Sequence, residues 1–244
     1  YILNQLMKLR IYFVQKILNF FDYFQQREIY NFLKKKIKDK SIFFDVGAHH
    51  GETIKNLLKF FQIDQIHAFE ASLDNFNVLK KQVFNKNLYI KLNCIGLSNE
   101  KKVSDINQSL ESSSTTLSPI NKKSKYYQMK LNTLGINDSS KYIKKTKTNL
   151  DTLDNYINDI KFTDKIDLLK IDTEGHELYV LHGAKKNLPN IKFIYFEHHY
   201  DDMLSKGYKF SEINNFLRKH NFVKVYKSKM FFRKTFEYIY ELKQ

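Results

Sequence analysis

The amino-acid sequence predicts an α/β fold built on a doubly wound, mostly parallel β-sheet. Short runs of β-branched and aromatic residues alternate with helical stretches, and such repeated strand–helix–strand units place parallel strands side by side with helices on both faces. The last two β-rich runs, 222–226 and 236–240, are joined by a connection too short for a helical crossover, so we expect an antiparallel hairpin at the sheet edge. The length of 244 residues, 42% of them hydrophobic, suits one large domain with an appendage.

Local patterns predict the individual elements. The predicted strands are 42–46, 65–69, 88–92, 166–171, 191–196, 222–226 and 236–240. The predicted helices are 52–61, 72–84, 153–160, 176–187 and 211–220, with Ser72 as N-cap of the second. The segment 99–147 is polar and poorly periodic, which indicates loop with short hairpin strands.

An N-terminal helical extension, 1–40, precedes the main domain, 41–244. Its apolar residues recur at three- and four-residue steps and therefore share one helix face: Leu6, Leu9, Phe13, Ile17, Phe20 and Phe24. Lys8, Arg10 and Lys16 interrupt the run, which excludes the ~20-residue apolar span of a membrane crossing. We expect this helix to pack on the main domain; the alternative is a helix that makes peripheral contact with a membrane interface.

Composition narrows the function classes. The single cysteine, Cys94, excludes an intrachain disulfide and a Cys-rich zinc site, which favours a cytoplasmic protein. The formal net charge is +15, but only 4 of the 41 basic residues are Arg, the side chain that recognises phosphates and bases by paired hydrogen bonds. A nucleic-acid partner is therefore not the expectation.

A glycine-containing turn and an acid predict a nucleoside site. Gly47 and Gly51 lie in the segment 45–51, directly between the first strand and its helix, where open α/β folds bind cofactors. Glu70 ends the second strand, near the ~20-residue offset at which an acid accepts hydrogen bonds from ribose hydroxyls. Because the turn has two glycines rather than the three of the dinucleotide fingerprint, it favours S-adenosylmethionine over NAD.

Four motifs, in order, resemble the FkbM family of S-adenosylmethionine-dependent methyltransferases. They are Asp-Val-Gly-Ala-His-His-Gly at 45–51, Phe-Glu at 69–70 with Asp-Asn-Phe at 74–76, Thr-Leu-Asp at 152–154, and Asp-Leu-Leu-Lys-Ile-Asp-Thr-Glu-Gly-His-Glu at 167–177. The resemblance implies a class I (Rossmann-like) methyltransferase fold and methylation of a hydroxyl on a sugar, glycan or other small acceptor. It also implies that Asp45, Gly47 and Gly51 line the methionine end of the cofactor and that Glu70 binds the ribose. His49, which we also expect to contact the cofactor, stands where the family pattern usually has Asn, and Ala71 stands where it usually has Pro.

Two further strand ends carry candidate catalytic residues. The strand 166–171 is followed by Asp172 and Glu174, and the strand 191–196 by Glu197 and His198. We predict His198 as the general base that takes the acceptor's proton, Glu197 as its orienting or acceptor-binding partner, Glu174 as a further catalytic acid, and Asp172 beside the cofactor.

Other interpretations of these residues stay open. Asp172 and Glu174 could cap the following helix, and Glu197 could pair with Lys170. We predict no metal, although the same acids with His198 could hold Mg²⁺. We expect the segment 111–116 to be a flexible polar loop, and its position also suits a lid over the site.

The function favoured by the sequence is O-methyl transfer to a glycan or small molecule. The alternatives are a nucleic-acid-modifying methyltransferase, which the lysine excess would favour, and a non-catalytic membrane-associated protein of the same fold.

Overall fold

A computed structural model describes residues 2–37, 40–83 and 89–243 of the chain. The strands are β1 (Ser41–Val46), β2 (Ile63–Phe69), β3 (Tyr89–Asn93), β4 (Gly96–Leu97), β5 (Lys102–Ser109), β6 (Ile143–Asp151), β7 (Ile166–Ile171), β8 (Ile191–His199), β9 (Phe222–Lys229) and β10 (Thr235–Leu242). The helices are α1 (Ile2–Lys34), α2 (Glu52–Phe60), α3 (Leu73–Gln82), α4 (Lys125–Leu134), α5 (Leu153–Asp159), α6 (Glu177–Gly183) and α7 (Phe210–Lys219). The predicted end of the second helix at residue 84 and start of the third strand at residue 88 lie outside the described residues.

The main sheet confirms the predicted mostly parallel α/β fold. Its order is β3-β2-β1-β7-β8-β10-β9, and the first five strands run parallel. The C-terminal hairpin also forms, but β10 inserts between β8 and β9 and is antiparallel to both. The edge strand of this side is therefore β9, and the strand order reverses between β1 and β7, where open α/β sheets bind ligands.

Two apolar clusters enclose the sheet. On one face, α5, α6 and α7 bury residues such as Leu153, Leu181 and Leu217 against it. On the other face, α1, α2 and α3 contribute Ile29, Leu57 and others. Both faces of the parallel strands are thus covered, as their continuous apolar runs require.

The segment 99–147 is more ordered than predicted. It contains the long antiparallel pair β5–β6, which forms a three-stranded sheet with β4, and the helix α4. The sequence contains signals for both ends of α4. At its start, Ser124 Oγ accepts a hydrogen bond from Tyr127 N at 3.0 Å, and at its end Gly135 has a left-handed φ of 72°. Tyr127, Leu131 and Leu134 form its buried stripe, at steps of four and three residues.

The N-terminal helix packs on the main domain, as expected, but not through the predicted apolar stripe. Leu9, Phe13, Ile17, Phe20 and Phe24 are all exposed; the side chain of Leu6 lies outside the described residues. The helix instead packs through the opposite face, which carries a second stripe: Ile11, Val14, Leu18, Asp22, Gln25 and Ile29. Two stripes on one helix share the same spacing, so periodicity alone could not say which one faces the core. No described helix is long and apolar enough to cross a membrane.

We expect Ser124→Ala to lower the free energy of unfolding by about 1 kcal/mol, because the Tyr127 amide loses its cap. Thr133→Ala, on the exposed side of the same helix, should change it by less than about 0.5 kcal/mol. Denaturant unfolding of both variants measures the difference. Equal effects would show that the cap does not stabilise α4.

Candidate active site

The turn after β1 is held against both neighbouring strands. Gly47 N and Ala48 N donate to Phe69 O at 2.9 and 3.0 Å, and Asp172 N donates to Val46 O at 2.9 Å. Gly47 has a φ of 83°, and a Cβ built at this position would lie 1.8 Å from Asp172 O. Only glycine fits here, both for its left-handed conformation and for this close approach.

Glu70 closes the same turn from the end of β2. Its Oε2 accepts from His49 N and its Oε1 from Ser72 N, each at 2.8 Å. Burial raises the pKa of Glu70 overall, although these hydrogen bonds oppose the shift. A carboxylate offers about four lone-pair sites, so this one has capacity for further donors. The structure thus brings Gly47 and Glu70 together, as the cofactor prediction requires.

His49 occupies the position at which the family pattern usually has Asn, and the structure shows how His fits there. Its φ of 47° is left-handed, a conformation in which both Asn and His are enriched. Its ring stacks on His50 with centroids 3.7 Å apart, and its Nε2 lies 2.7 Å from Ser112 Oγ. The ring therefore links the turn to the polar segment 111–116.

Gly51 and Asp45 lie behind the turn rather than on the cavity wall. A Cβ at Gly51 would meet Val83 and Leu79, so this glycine permits helix packing. Asp45 is fully buried, and neither carboxylate oxygen has a hydrogen-bond partner among the described residues. Burial raises the pKa of Asp45 to about 6 despite the nearby Lys170 ammonium.

A cavity of about 610 Å³ begins at this turn. Its walls come from the turn itself, the ends of β2, β7 and β8, the segment 111–117, α1, α4 and the β9–β10 connection. This volume falls within the range of roughly 300–1,000 Å³ typical of small-molecule sites.

The predicted acids meet on the side of the cavity formed by the ends of β7 and β8. Asp172, Glu174 and Glu197 all line it. Lys170 Nζ pairs with Asp172 Oδ2 at 3.1 Å rather than with Glu197. Burial, reinforced by the Asp172 carboxylate, raises the pKa of Glu197 well above its usual range.

The acids after β7, Asp172 and Glu174, are not the residues that hold the start of α6 in the structure. Glu177, at the start of α6, accepts hydrogen bonds from Gly175 N and Thr173 Oγ1. Glu174 has a φ of 51°, an uncommon conformation for a non-glycine residue. Such strained backbone is often found at functional sites.

The two adjacent histidines at the end of β8 face opposite ways. His198 points away from the cavity and packs against Tyr200, Tyr208 and Phe210. Burial lowers the pKa of His198 to about 3. His199 lines the cavity. Side chains alternate along a strand, so Glu197 and His199 share a face that His198 cannot reach. The structure does not bring the predicted base together with the predicted acids.

His199 lies between two carboxylates. Its Nε2 is 3.3 Å from Glu174 Oε2, and its Nδ1 is 3.6 Å from Asp201 Oδ2 and 3.0 Å from Thr235 Oγ1. Burial alone would lower the pKa of His199, but the carboxylates of Glu174 and Asp201 outweigh it and raise the pKa.

Sequence reasoning missed the residues that distant elements bring to the cavity. Asp22 on α1 pairs with Arg233 of the β9–β10 connection at 2.8 Å. Lys130 on α4 pairs with Glu111 at 2.9 Å, and Tyr142 OH donates to the same carboxylate at 2.6 Å. Residues so far apart in the chain give no local signal of their proximity.

The segment 111–116 closes one side of the cavity, which fits the position expected for a lid. Thr116 Oγ1 donates to Glu174 O at 2.6 Å, and Ser118 Oγ donates to Gly175 O at 2.7 Å. The segment is therefore tied to the loop after β7.

A cluster of possible metal ligands lies at the turn after β1, on the wall of the same cavity. Among the described residues, only His49, His50 and Glu52 bring three such atoms within 4.8 Å of one another. The acids considered for Mg²⁺ do not form such a group.

Comparison with known proteins decides the family. A family model described as "Methyltransferase FkbM domain" matches residues 45–224. The chain belongs to the FkbM methyltransferase family. No curated protein matches this FkbM chain.

The first two of the following solved structures share the fold of the chain. The methyltransferase FkbM of Methylobacillus flagellatus superposes with a TM-score of 0.51 and 13% identity, over 84% of this chain and 45% of that one. A candidate rRNA methylase from Clostridium thermocellum gives 0.51 and 9% identity, over 90% and 96%. TrmK of M. capricolum, in complex with S-adenosyl-homocysteine, gives 0.47 and 13% identity, over 87% and 66%. This FkbM chain thus spans less than half of the M. flagellatus protein and just under two thirds of TrmK. At these identities the likeness to the M. flagellatus and C. thermocellum structures extends to the fold alone.

Gly47→Ala tests the close approach to Asp172. We expect it to lower the free energy of unfolding by roughly 1–3 kcal/mol more than Gly207→Ala, because the new methyl group overlaps a backbone oxygen. Gly207 is a matched control: its φ is also positive, at 75°, but its Cβ would meet only the tip of Tyr179 at 3.0 Å. Similar losses in urea unfolding would mean that the left-handed conformation alone requires glycine.

Proposed function

We propose that this protein transfers the methyl group of S-adenosylmethionine to a hydroxyl oxygen of a sugar, glycan or other small acceptor. The observation that carries the proposal is the single cavity that joins the Gly47–Glu70 turn to the acids and His199 at the ends of β7 and β8. One end suits a nucleoside, and the other suits a polar acceptor and its proton. The FkbM family assignment supports methyl transfer.

The residues present fit this cofactor. Gly47 leaves backbone room that a Cβ would fill, and Glu70 lies on the cavity wall with lone pairs for ribose hydroxyls. Asp45, a buried carboxylate without a hydrogen-bond partner among the described residues, lies behind the turn near the Lys170 ammonium. We assign Gly47, His49 and Glu70 to direct contact, and Asp45 and Gly51 to support of the turn.

The cofactor, when bound, supplies an electrophilic methyl group and accepts the electron pair of the broken S–C bond as a neutral thioether. The chain has to hold the acceptor oxygen in line with that bond and remove its proton as the O–C bond forms. Alignment can contribute up to roughly 7–11 kcal/mol. Asp172, next to the turn, and Glu197, farther along the wall, are placed to orient acceptor hydroxyls.

His199 is the general base that the geometry favours. Its Nε2 is buried and has no hydrogen-bond partner among the described residues, although Glu174 lies at ion-pair distance. Glu174 and Asp201 stabilise the imidazolium that forms when it accepts a proton. The role predicted for His198 therefore passes to its neighbour.

The polar lining supports an acceptor with several hydroxyls. Asp22 Oδ1 and Glu111 Oε2 are buried, line the cavity, and have no partner among the described residues, like His199 Nε2. Buried polar atoms without partners are costly, and a polyol supplies donors and acceptors at several points.

A nucleic acid is the other acceptor class to test, because the net charge is +15. Steeply salt-dependent RNA binding would favour it. We propose a cytoplasmic location, since Cys94 is a free thiol, as expected in a reducing compartment.

Glu70→Gln should weaken binding of S-adenosylhomocysteine by roughly 5- to 150-fold. The Gln amide has only one oxygen, so its NH2 group would face one of the two backbone N–H donors that now bond to the carboxylate. Isothermal titration calorimetry measures the affinity. Glu100→Gln, at an exposed turn, is the matched control and should bind like wild type. Unchanged affinity in the Glu70 variant, or no binding by wild type, would contradict the proposed cofactor site.

Substituting each of the two adjacent histidines in turn tests which one is the general base. With an identified acceptor, His199→Asn should lower kcat by about 10²- to 10⁴-fold and leave S-adenosylhomocysteine affinity nearly unchanged. The wild-type rate should rise with pH as neutral His199 accumulates. Because the pKa of His199 is raised, that midpoint should lie above the ordinary value of about 6.5.

His198→Asn is the control and should retain the wild-type pH profile. Loss of the alkaline rise in this variant, with the rise retained in His199→Asn, would return the base role to His198.

A further inference from the structure

The outer face of α1 is an apolar stripe exposed to solvent. Leu9, Phe13, Ile17, Phe20 and Phe24 follow one another at steps of three and four residues, and each is 48–59% exposed. Single exposed apolar side chains are ordinary, but five in a continuous line on one helix are not.

The stripe has a neighbour at the tip of the C-terminal hairpin. Phe231 and Phe232, in the β9–β10 connection, are 49% and 72% exposed. The ring of Phe21 on α1 lies with its centroid 5.7 Å from Phe231 and 5.1 Å from Phe232. We call the five residues of the stripe and these two phenylalanines the aromatic face.

Basic side chains flank the aromatic face. Lys16 is exposed on α1, with its Nζ 5.0 Å from the centroid of the Tyr12 ring, and Arg27 is exposed one turn beyond Phe24. Lys229 and Lys234 are exposed on either side of the Phe231–Phe232 pair. Apolar rings flanked by cations are the pattern of helices that lie in the headgroup region of anionic membranes.

We infer that the aromatic face docks on the surface of an anionic lipid bilayer. Rings and aliphatic side chains enter the headgroup boundary, and the flanking Lys and Arg contact anionic headgroups. The helix lies along the surface, since no described helix can cross a membrane. This inference concerns binding and does not depend on the proposed methyl transfer.

Charge favours a bilayer over the other occupants. Two copies of a chain with a net charge of +15 would bring like charges together around a shared aromatic face. Leu9 and Ile17 have no aromatic surface on which nucleic-acid bases could stack. An anionic bilayer satisfies both the apolar stripe and its basic surroundings.

Docking would bring the cavity close to the lipid. Val14, Leu18 and Asp22 on the inner face of α1 line the cavity, as do Phe232 and Arg233. A helix with its side chains is about 10–12 Å across, so only that thickness separates the cavity from the docking face.

The absence of tryptophan from the sequence gives the experiment a specific reporter. In Phe20→Trp, we expect the emission to shift to shorter wavelength when vesicles of phosphatidylcholine and phosphatidylglycerol are added. The shift should be weaker with phosphatidylcholine alone and should decrease as salt is raised. Val103→Trp, at a 65% exposed position on β5, is the matched control and should show no shift. Equal shifts in the two variants, or none in Phe20→Trp, would overturn the inference.

Co-sedimentation with the same vesicles tests the stripe without a reporter. Phe13→Ser combined with Ile17→Ser should lower the bound fraction of the full chain by at least about tenfold, because two apolar side chains no longer leave water. Val103→Ser combined with Leu73→Ser, both at exposed positions outside the aromatic face, should bind like wild type, and circular dichroism checks that all variants are folded.

Three results would overturn the assignment. The first is a wild-type protein that stays in the supernatant with anionic vesicles. The second is a dimer, seen by light scattering, that the Phe13 and Ile17 substitutions convert to monomer. The third is retention on RNA that the same substitutions abolish.

Discussion

The close approach of residue 47 to the carbonyl oxygen of Asp172 is the constraint on which the site depends. It joins the ends of β1 and β7 across the point where the strand order reverses, and the bonds from Gly47 and Ala48 to Phe69 O join β2 to the same turn. Glu70 and the strand-end acids therefore lie around one cavity rather than along one edge. The chain has only 7 glycines, and this one is retained where no other residue fits.

A buried charge cluster lies between that sheet edge and α1. Lys170 is almost fully buried, and although burial disfavours its charged form, the carboxylates of Asp172 and Asp45 raise its pKa overall. Glu237 lies on the same side of the sheet, where Gln25 of α1 and Tyr195 of β8 donate hydrogen bonds to it. Such a cluster is stable only if its groups are paired and shielded from water. The N-terminal helix provides that shielding and is part of the site, not merely an attachment to it.

Local sequence patterns were enough to predict the parallel strands, the turn at Gly47 and the acid at Glu70. We mistook the face through which α1 packs, because both stripes have helical spacing and only tertiary contacts distinguish them. We also assigned the base role to His198 rather than His199. Side chains alternate between the two faces of β8, so an error of one residue selects the histidine that points away from the cavity. Asp22, Arg233 and Lys130 could not be found at all, because their proximity is created by the fold. The sequence does contain signals for α4, Ser124 at its start and Gly135 at its end, but they lie within a polar segment that we interpreted as loop with short strands.

A crystal structure of the protein with S-adenosylhomocysteine tests the proposed cofactor site most directly. We predict ligand density in the cavity that begins at the Gly47 turn, with the ribose hydroxyls on the Glu70 carboxylate, the backbone of Gly47 in contact with the ligand, and the sulfur directed towards Asp172 and His199. Density elsewhere on the molecule, or a ribose remote from Glu70 at saturating ligand, would contradict it.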